Sequence, residues 1–105
     1  MVRISMGLAL AAACAAAAAG DPAPARRAEL LHMVKQDCGS CHGLTMRGGL
    51  GPSLEPAALA EKDADALRFA ILHGRPGTPM PPWSTFLSEA EARWIVQQLQ
   101  KGLPR

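Results

Sequence analysis

Two cysteines and a histidine fall within five consecutive residues, Cys38-Gly39-Ser40-Cys41-His42. This C-x-x-C-H spacing is the signature of covalent attachment of a c-type haem. On a helix, thiols three residues apart lie on one turn, so both reach the vinyl groups of one porphyrin edge, and the histidine follows beneath the iron. Gly39 and Ser40 are small enough to let the ring edge approach. The motif therefore predicts a fold built around a porphyrin.

Other uses of a closely spaced cysteine pair have less support in the surrounding sequence. A thioredoxin-like redox pair belongs in a βαβ unit, and the sequence has no convincing alternating strand pattern. A zinc site needs two further ligands, for which only the scattered His32 and His73 remain. A disulfide between Cys38 and Cys41 would close too short a loop to stabilise the chain much. Haem attachment remains the best interpretation.

The chain is also short and poor in aromatic residues. It has 105 residues, with two Phe, two Trp and no Tyr. We predict one domain over residues 21–105, because residues 1–20 have the composition of an export signal. A domain of about 85 residues is marginal by burial alone and usually needs a cofactor or another staple. The net charge of +2 offers no basic excess for binding nucleic acid.

Residues 1–20 have the three parts of a secretory signal peptide. Arg3 supplies the positive start, residues 4–13 an apolar stretch, and residues 15–19 a run of alanines suited to cleavage. The apolar stretch is too short to span a bilayer with margin, so we predict export without a membrane span. Cys14 is interpreted as an incidental residue of the discarded signal rather than a lipid-attachment site.

The rest of the chain is predicted to be all-α, with three to four helices wrapped around one covalently bound haem. Apolar spacing and capping residues indicate three helices, over residues 25–37, 64–73 and 88–102. Asp63 is the N-cap of the second helix and Gly74 its stop. Ser88 and Glu91 form a capping box at the start of the third. Gly and Pro are concentrated in two predicted loops, residues 43–56 and 75–82.

Two residues are assigned as axial ligands of the iron. His42 follows the second cysteine directly, so its Nε2 is the proximal ligand, with Nδ1 held by a carbonyl. For the opposite face we favour Met80, because Pro79 and Pro81 hold it in an extended segment that has little entropy to lose on ligation. Such His/Met ligation raises the reduction potential and fills both axial positions, which suits an electron carrier rather than a haem enzyme or ligand sensor.

Four other residues are weighed as the distal ligand. Met46 stands too close in sequence to the proximal histidine to reach the opposite face of the iron. Met33 and His32 belong to the helix that leads into the motif, and are interpreted as a core and a surface residue. His73, at the end of the second helix, remains the main rival of Met80.

Motifs along the whole mature chain carry a family resemblance. They are Cys38-Gly39-Ser40-Cys41-His42, Gly48-Gly49-Leu50-Gly51-Pro52 and Gly77-Thr78-Pro79-Met80-Pro81-Pro82-Trp83. With these the chain resembles the class I cytochromes c. More narrowly, residues 73–83 and 86–92 are similar to those of the NirC-type small cytochromes, which are encoded beside the haem d1-containing nitrite reductase of denitrifying bacteria.

The resemblance implies roles for several residues and for the protein. The Pro52 carbonyl would accept a hydrogen bond from His42 Nδ1, and Leu54 would pack near the porphyrin. The protein would be a periplasmic electron carrier and not an enzyme, and its redox partner would be nitrite reductase or a haem d1 maturation protein. The alternative is an assembly factor that binds another tetrapyrrole protein. His73 stands where this subgroup leads us to expect Tyr, so a histidine ligand stays open.

Further residues are predicted near the haem. Arg75 would pair with a propionate, for which its planar fork is suited, or remain a solvated loop arginine. Trp83 would line the haem edge or pack in the core, as we favour, and Trp94 is assigned to the core. Four cations are either a weak docking surface or scattered solvated charges, namely Arg26, Arg27, Lys35 and Arg47. We expect a monomer, although residues 48–51 would permit a helix-swapped dimer.

Overall fold

The computed structural model describes residues 20–104, together with Val2 and Gly7. The remaining residues of the predicted signal peptide, Cys14 among them, lie outside the described residues. Over the described part the regular elements are α1 (Pro24–Met33), a π-helical segment (Val34–Cys38), α2 (Gly39–His42), α3 (Pro56–Leu59), α4 (Ala64–His73) and α5 (Glu89–Lys101). None of the helices in this part combines the length and the hydropathy needed to cross a bilayer. The all-α prediction is confirmed.

The first helical stretch runs further than the sequence indicates. The apolar spacing predicts an end at Asp37, whereas the helix continues from Pro24 through the π-helical segment and α2 to His42. Gly43, at φ 91°, ends it. The prediction stops early because the apolar period is lost after Val34, while the real end is set by Gly43 and by hydrogen bonds from the loop that follows it. The π-helical turn lies directly before the cysteine motif, where such turns often mark a functional site.

The caps predicted for the two later helices are present. Asp63 accepts a hydrogen bond from Ala66 N at 2.9 Å and begins α4. At the start of α5, the Ser88 hydroxyl accepts from Glu91 N at 3.1 Å, and the Glu91 carboxylate accepts from Ser88 N at 3.0 Å. Gly74 ends α4 with φ 71°, a conformation that glycine adopts without strain. Helices 64–73 and 89–101 therefore follow from local signals.

The core lies where α5 packs across α1, α3 and α4. Its buried members are Leu30, Val34, Met46, Leu59, Leu72, Leu87, Ala92, Trp94, Ile95 and Leu99. Trp94 is in the core, as predicted. The sequence does not predict α3, a single turn that begins at Pro56 and brings Leu59 under α5. The apolar spacing also predicts that Leu67, Ala70 and Ile71 form the inner face of α4. All three are only half-buried, while Leu72 is the buried residue.

An ion-pair network joins the start of α1 to the start of α5. The Arg26 guanidinium donates to the Glu91 carboxylate, to Glu29 at 2.9 Å and to the Phe86 carbonyl at 3.3 Å. The bond from Arg26 is the main cause that lowers the pKa of Glu91. Arg27 donates to a nearby backbone carbonyl at 2.7 Å. Arg26 and Arg27, two of the four cations weighed above as a docking surface, are therefore hydrogen-bonded within the chain.

Low pH is expected to weaken this ion-pair network between α1 and α5. A carboxyl group whose folded-state pKa is lowered contributes stability above its unfolded-state pKa and loses it as the pH falls through the folded-state pKa. For Glu91 this window lies below about pH 4. Thermal melts should show that Glu91→Gln lowers the Tm at neutral pH, and that its difference from wild type shrinks as the pH falls below the ordinary pKa of Glu, about 4.

The control for this prediction is Glu89→Gln, which removes a charge from an exposed position in the same helical turn. It should leave the pH dependence of the Tm unchanged. A Tm deficit of Glu91→Gln that stays constant down to low pH would contradict the prediction, because it would mean that the ionised carboxylate contributes nothing.

Candidate functional site

The two cysteines of the motif lie on one helical turn, and both are free and half-buried. Cys38 closes the π-helical segment and packs against the core. Burial, helped by the nearby Asp37 charge, raises the pKa of the Cys38 thiol to about 11. Ser40 turns its hydroxyl to the Asp37 carbonyl at 2.7 Å and lies 3.9 Å from Cys41 Sγ. The side chains of Cys38 and Cys41 are therefore free thiols held at the helical spacing that haem attachment requires.

The histidine of the motif is oriented by a backbone carbonyl. His42 Nδ1 lies 2.7 Å from the Pro52 carbonyl oxygen, which is the contact that the family resemblance implies. A carbonyl only accepts hydrogen bonds, so Nδ1 carries the proton and donates it. The lone pair of the neutral ring is then on Nε2, the atom that is left to bind a metal.

The glycine-rich loop of residues 48–51 is hydrogen-bonded to the end of the helix that carries the motif, and this contact is called the clasp below. Gly48 N donates to the His42 carbonyl and Gly51 N to the Cys41 carbonyl, both at 2.8 Å. A Cβ at Gly51 would lie 2.7 Å from two atoms of the His42 ring, and one at Gly49 would lie 2.8 Å from the Cys41 carbonyl. The sequence predicts a loop here but not this clasp. Only the spacing of the glycines before Pro52 hints at it.

Adding one methyl group at Gly51 is expected to disturb His42. In Gly51→Ala the new Cβ would stand 2.7 Å from the ring, closer than carbon atoms pack, so the ring or the loop must move. Such overpacking costs about 1–3 kcal/mol. The holoprotein should melt at a lower temperature and show an altered haem spectrum. Leu50→Ala, in the same loop and at a residue 90% exposed, should change neither; equal behaviour of the two variants would contradict the clasp.

The segment that carries Met80 is closed by one bond within the loop and fixed by another to the last turn of α4. Arg75 N donates to the Met80 carbonyl at 3.3 Å, and Trp83 N donates to the Ile71 carbonyl at 2.9 Å. A Cβ at Gly74 would lie only 2.6 Å from the Met80 carbonyl oxygen, so the loop folds back tightly on the end of the helix. The Met80 side chain is half-buried. A thioether is thus presented from an element separate from the cysteine motif.

The other predicted haem neighbours occupy different settings. Leu54 and Trp83 are half-buried and pack against the core, and the Trp83 ring lies 5.9 Å from that of Phe86. The Arg75 side chain is exposed. Lys35 and Arg47 line a surface groove beside the glycine-rich loop. Among the residues that the structure describes, none from the Met80 segment lines this groove.

The structure also shows where the four residues weighed against Met80 lie. Met46 is buried in the core at φ 62°, and its carbonyl accepts from Leu54 N at 2.8 Å, so it supports the loop that follows the motif. His32 is exposed, as predicted, whereas Met33, predicted in the core, is half-buried and packs against it. His73 is exposed, with its ring 4.5 Å from that of Phe69.

The donor set fits a covalently bound haem. Two thiols on one helical turn suit the two vinyl groups, and an imidazole with Nε2 free is a strong iron ligand. A thioether on a second element adds a sulfur donor of a kind that binds haem iron. Leu54, Ile71 and Trp83 are half-buried apolar side chains packed against the core.

Comparison with known proteins agrees with this chemistry. The family described as cytochrome c oxidase, cbb3-type, subunit III matches residues 23–98. Cytochrome c55X of Stutzerimonas stutzeri is 49% identical over 103 residues, which cover 98% of this chain and 91% of that protein. The solved structure of the c-type cytochrome NirC is 51% identical, with a TM-score of 0.77, and covers 78% of this chain and 96% of that one.

A larger protein contains a similar stretch. The dihydro-heme d1 dehydrogenase of Pseudomonas aeruginosa is 36% identical over 100 residues, which cover 95% of this chain but 19% of that protein. The likeness to small cytochromes spans nearly the whole of their length and most of this chain. The chain therefore belongs to the c-type cytochromes, in the group that includes cytochrome c55X and NirC, and its cofactor is one covalently bound haem c with its iron.

Proposed function

We propose that this protein is a periplasmic electron carrier of denitrification, in which haem c is bound through Cys38 and Cys41, with His42 and Met80 as axial ligands. One observation carries the proposal. His42 stands beside two free thiols with Nδ1 2.7 Å from the Pro52 carbonyl. This bond leaves Nε2 without the proton, and the position of His42 directly after two thiols at haem-attachment spacing supports a role as iron ligand.

Each residue of the site has a part in this proposal. Haem c supplies a one-electron couple between ferric and ferrous iron when bound. The Pro52 carbonyl orients the His42 ring and increases its basicity as a ligand. Met80 would supply a thioether as the second protein ligand of the iron, which would leave no open site for a substrate and would favour a raised reduction potential. Arg75 is exposed and is proposed to pair with a propionate, while Leu54 and Trp83 contact the ring.

The partner is proposed from the relatives. NirC is structurally similar over most of this chain, and the resemblance to NirC-type cytochromes links the protein to nitrite reductase. Dihydro-heme d1 dehydrogenase contains a stretch similar to 95% of this chain, which supports a link to haem d1 metabolism. We propose that electrons pass between this protein and either nitrite reductase or an enzyme of haem d1 maturation, through transient docking.

A second function is supported by the same relative. Because a similar domain forms 19% of dihydro-heme d1 dehydrogenase, this protein is alternatively an assembly factor that docks onto a tetrapyrrole enzyme without carrying its electrons. The carrier function is favoured because a closed His/Met site serves electron transfer directly, whereas docking alone needs no such site.

Stopped-flow mixing separates the two functions. Reduced holoprotein is mixed with oxidised nitrite reductase, and oxidised holoprotein is mixed separately with dihydro-heme d1 dehydrogenase and its dihydro-heme d1 substrate. A carrier should be oxidised rapidly by the reductase or reduced rapidly by the dehydrogenase, at a rate that changes with ionic strength. Stable binding to either enzyme without electron transfer would contradict the carrier function and favour the assembly factor. Fractionation of the native host should place the haem protein in the periplasm, and recovery in the cytoplasm would contradict that localisation.

A further inference from the structure

The hydroxyl group of Thr78 lies at the centre of the loop that carries Met80. Thr78 Oγ1 donates to the Arg75 carbonyl at 2.7 Å and accepts from Met80 N at 3.3 Å. Thr78 N donates to the same Arg75 carbonyl at 3.1 Å. Arg75 N in turn donates to the Met80 carbonyl at 3.3 Å. One side chain thus connects the first residue of the loop to Met80.

The composition of this loop explains why a side chain is needed. Residues 75–82 include Pro76, Pro79, Pro81 and Pro82. Each proline lacks a backbone N–H, so half of these eight residues cannot donate a main-chain hydrogen bond. Gly77 makes the turn at φ 77°, where few other residues fit without strain. A hydroxyl two residues before Met80 supplies a donor and an acceptor that the backbone cannot.

We infer that Thr78 is a positioning residue for Met80, holding its backbone so that the sulfur stays directed to the iron. The inference rests on the proposed function, in which Met80 is the distal ligand. The flanking segment is already fixed to α4 by Trp83 N and the Ile71 carbonyl, so the freedom left to Met80 lies within residues 75–80. Loss of the Thr78 hydroxyl would release that freedom while leaving the shape of the loop nearly unchanged.

Imidazole binding to the ferric holoprotein tests the inference, because imidazole competes with the Met80 sulfur for one axial position. Thr78→Val keeps the side-chain shape and removes both hydroxyl bonds, so imidazole should bind about tenfold more tightly. Thr78→Ser keeps the hydroxyl and should bind imidazole as wild type does. Thr85→Val, the same change at an exposed threonine outside the loop, should also match wild type. Met80→Ala gives the affinity expected when the ligand is absent.

The outcomes distinguish the inference from the ligand assignment. If Met80→Ala binds imidazole strongly but Thr78→Val matches wild type, Thr78 does not position Met80, and the ligand assignment stands. The same conclusion holds if Thr78→Ser binds imidazole as tightly as Thr78→Val, because the hydroxyl would then be irrelevant. If Met80→Ala itself leaves the affinity unchanged, Met80 is not the ligand and both the assignment and the inference fall.

Discussion

Replacing Met80 by Ala is expected to remove the low-spin His/Met spectrum of the holoprotein and to let carbon monoxide bind the reduced form readily. The variant keeps His42 and both cysteines, so the haem should stay attached while one axial position opens. The reduction potential should fall by on the order of 0.1 V, since axial ligands set haem potentials over a range of about 0.8 V. Absorption spectra, carbon monoxide titration and redox titration measure the three effects.

Two control variants make this result specific. Met33→Ala removes a half-buried thioether from α1 and should leave the spectrum and the carbon monoxide response unchanged. His73→Ala tests the main rival ligand and should also behave as wild type. The assignment would be contradicted by an unchanged spectrum in Met80→Ala, and loss of the low-spin spectrum in His73→Ala would transfer the role to that histidine.

The double substitution Cys38→Ala with Cys41→Ala is expected to leave a poorly folded apoprotein. Of the ten buried residues of the described core, α5 supplies four and the other segments one each, while Leu67, Ile71 and Trp83 are only half-buried. A single domain of this size has little stability to spare without a cofactor. We therefore expect the cooperative thermal transition to be lost and amide hydrogen exchange to become fast across α4 and α5.

The matched control for the double variant is Ser40→Ala, which lies between the two cysteines and keeps both thiols. It should bind haem and melt cooperatively. Its Tm should be slightly lower than that of wild type, because the hydrogen bond to the Asp37 carbonyl is missing. A stable, cooperative melt of the haem-free double variant would contradict the view that the porphyrin completes the core.

Local signals account for the parts of the fold that the sequence predicts well. The N-cap at Asp63 and the capping box at Ser88 act within a few residues, so α4 and α5 begin where their caps require. The end of α2 depends on bonds from the loop that follows it, and the position of α3 depends on contact with α5, about 30 residues further along the chain. Gly48 and Gly51 bond the last carbonyls of α2, and Leu59 is buried against α5. No periodic pattern records such contacts.

At the site, too, features set by adjacent residues are predicted from the sequence and features set by contacts further along the chain are not. The cysteine motif and His42 are contiguous, and their chemistry follows from spacing alone. The Pro52 contact lies ten residues away and is implied only through the family resemblance. Thr78 lies within the motif around Met80 but has no predicted role there, and the role inferred for it follows only from its bonds to Arg75 and Met80. Residues that act by holding others in place leave little trace in a single sequence.

The most direct test of the account is the mass of the holoprotein purified from its native host and then denatured. Covalent attachment through Cys38 and Cys41 predicts a mature chain heavier by one haem, with the pigment retained on the polypeptide after unfolding and acid extraction. A colourless protein with the mass of the polypeptide alone, or a haem that is extracted into solvent, would contradict it.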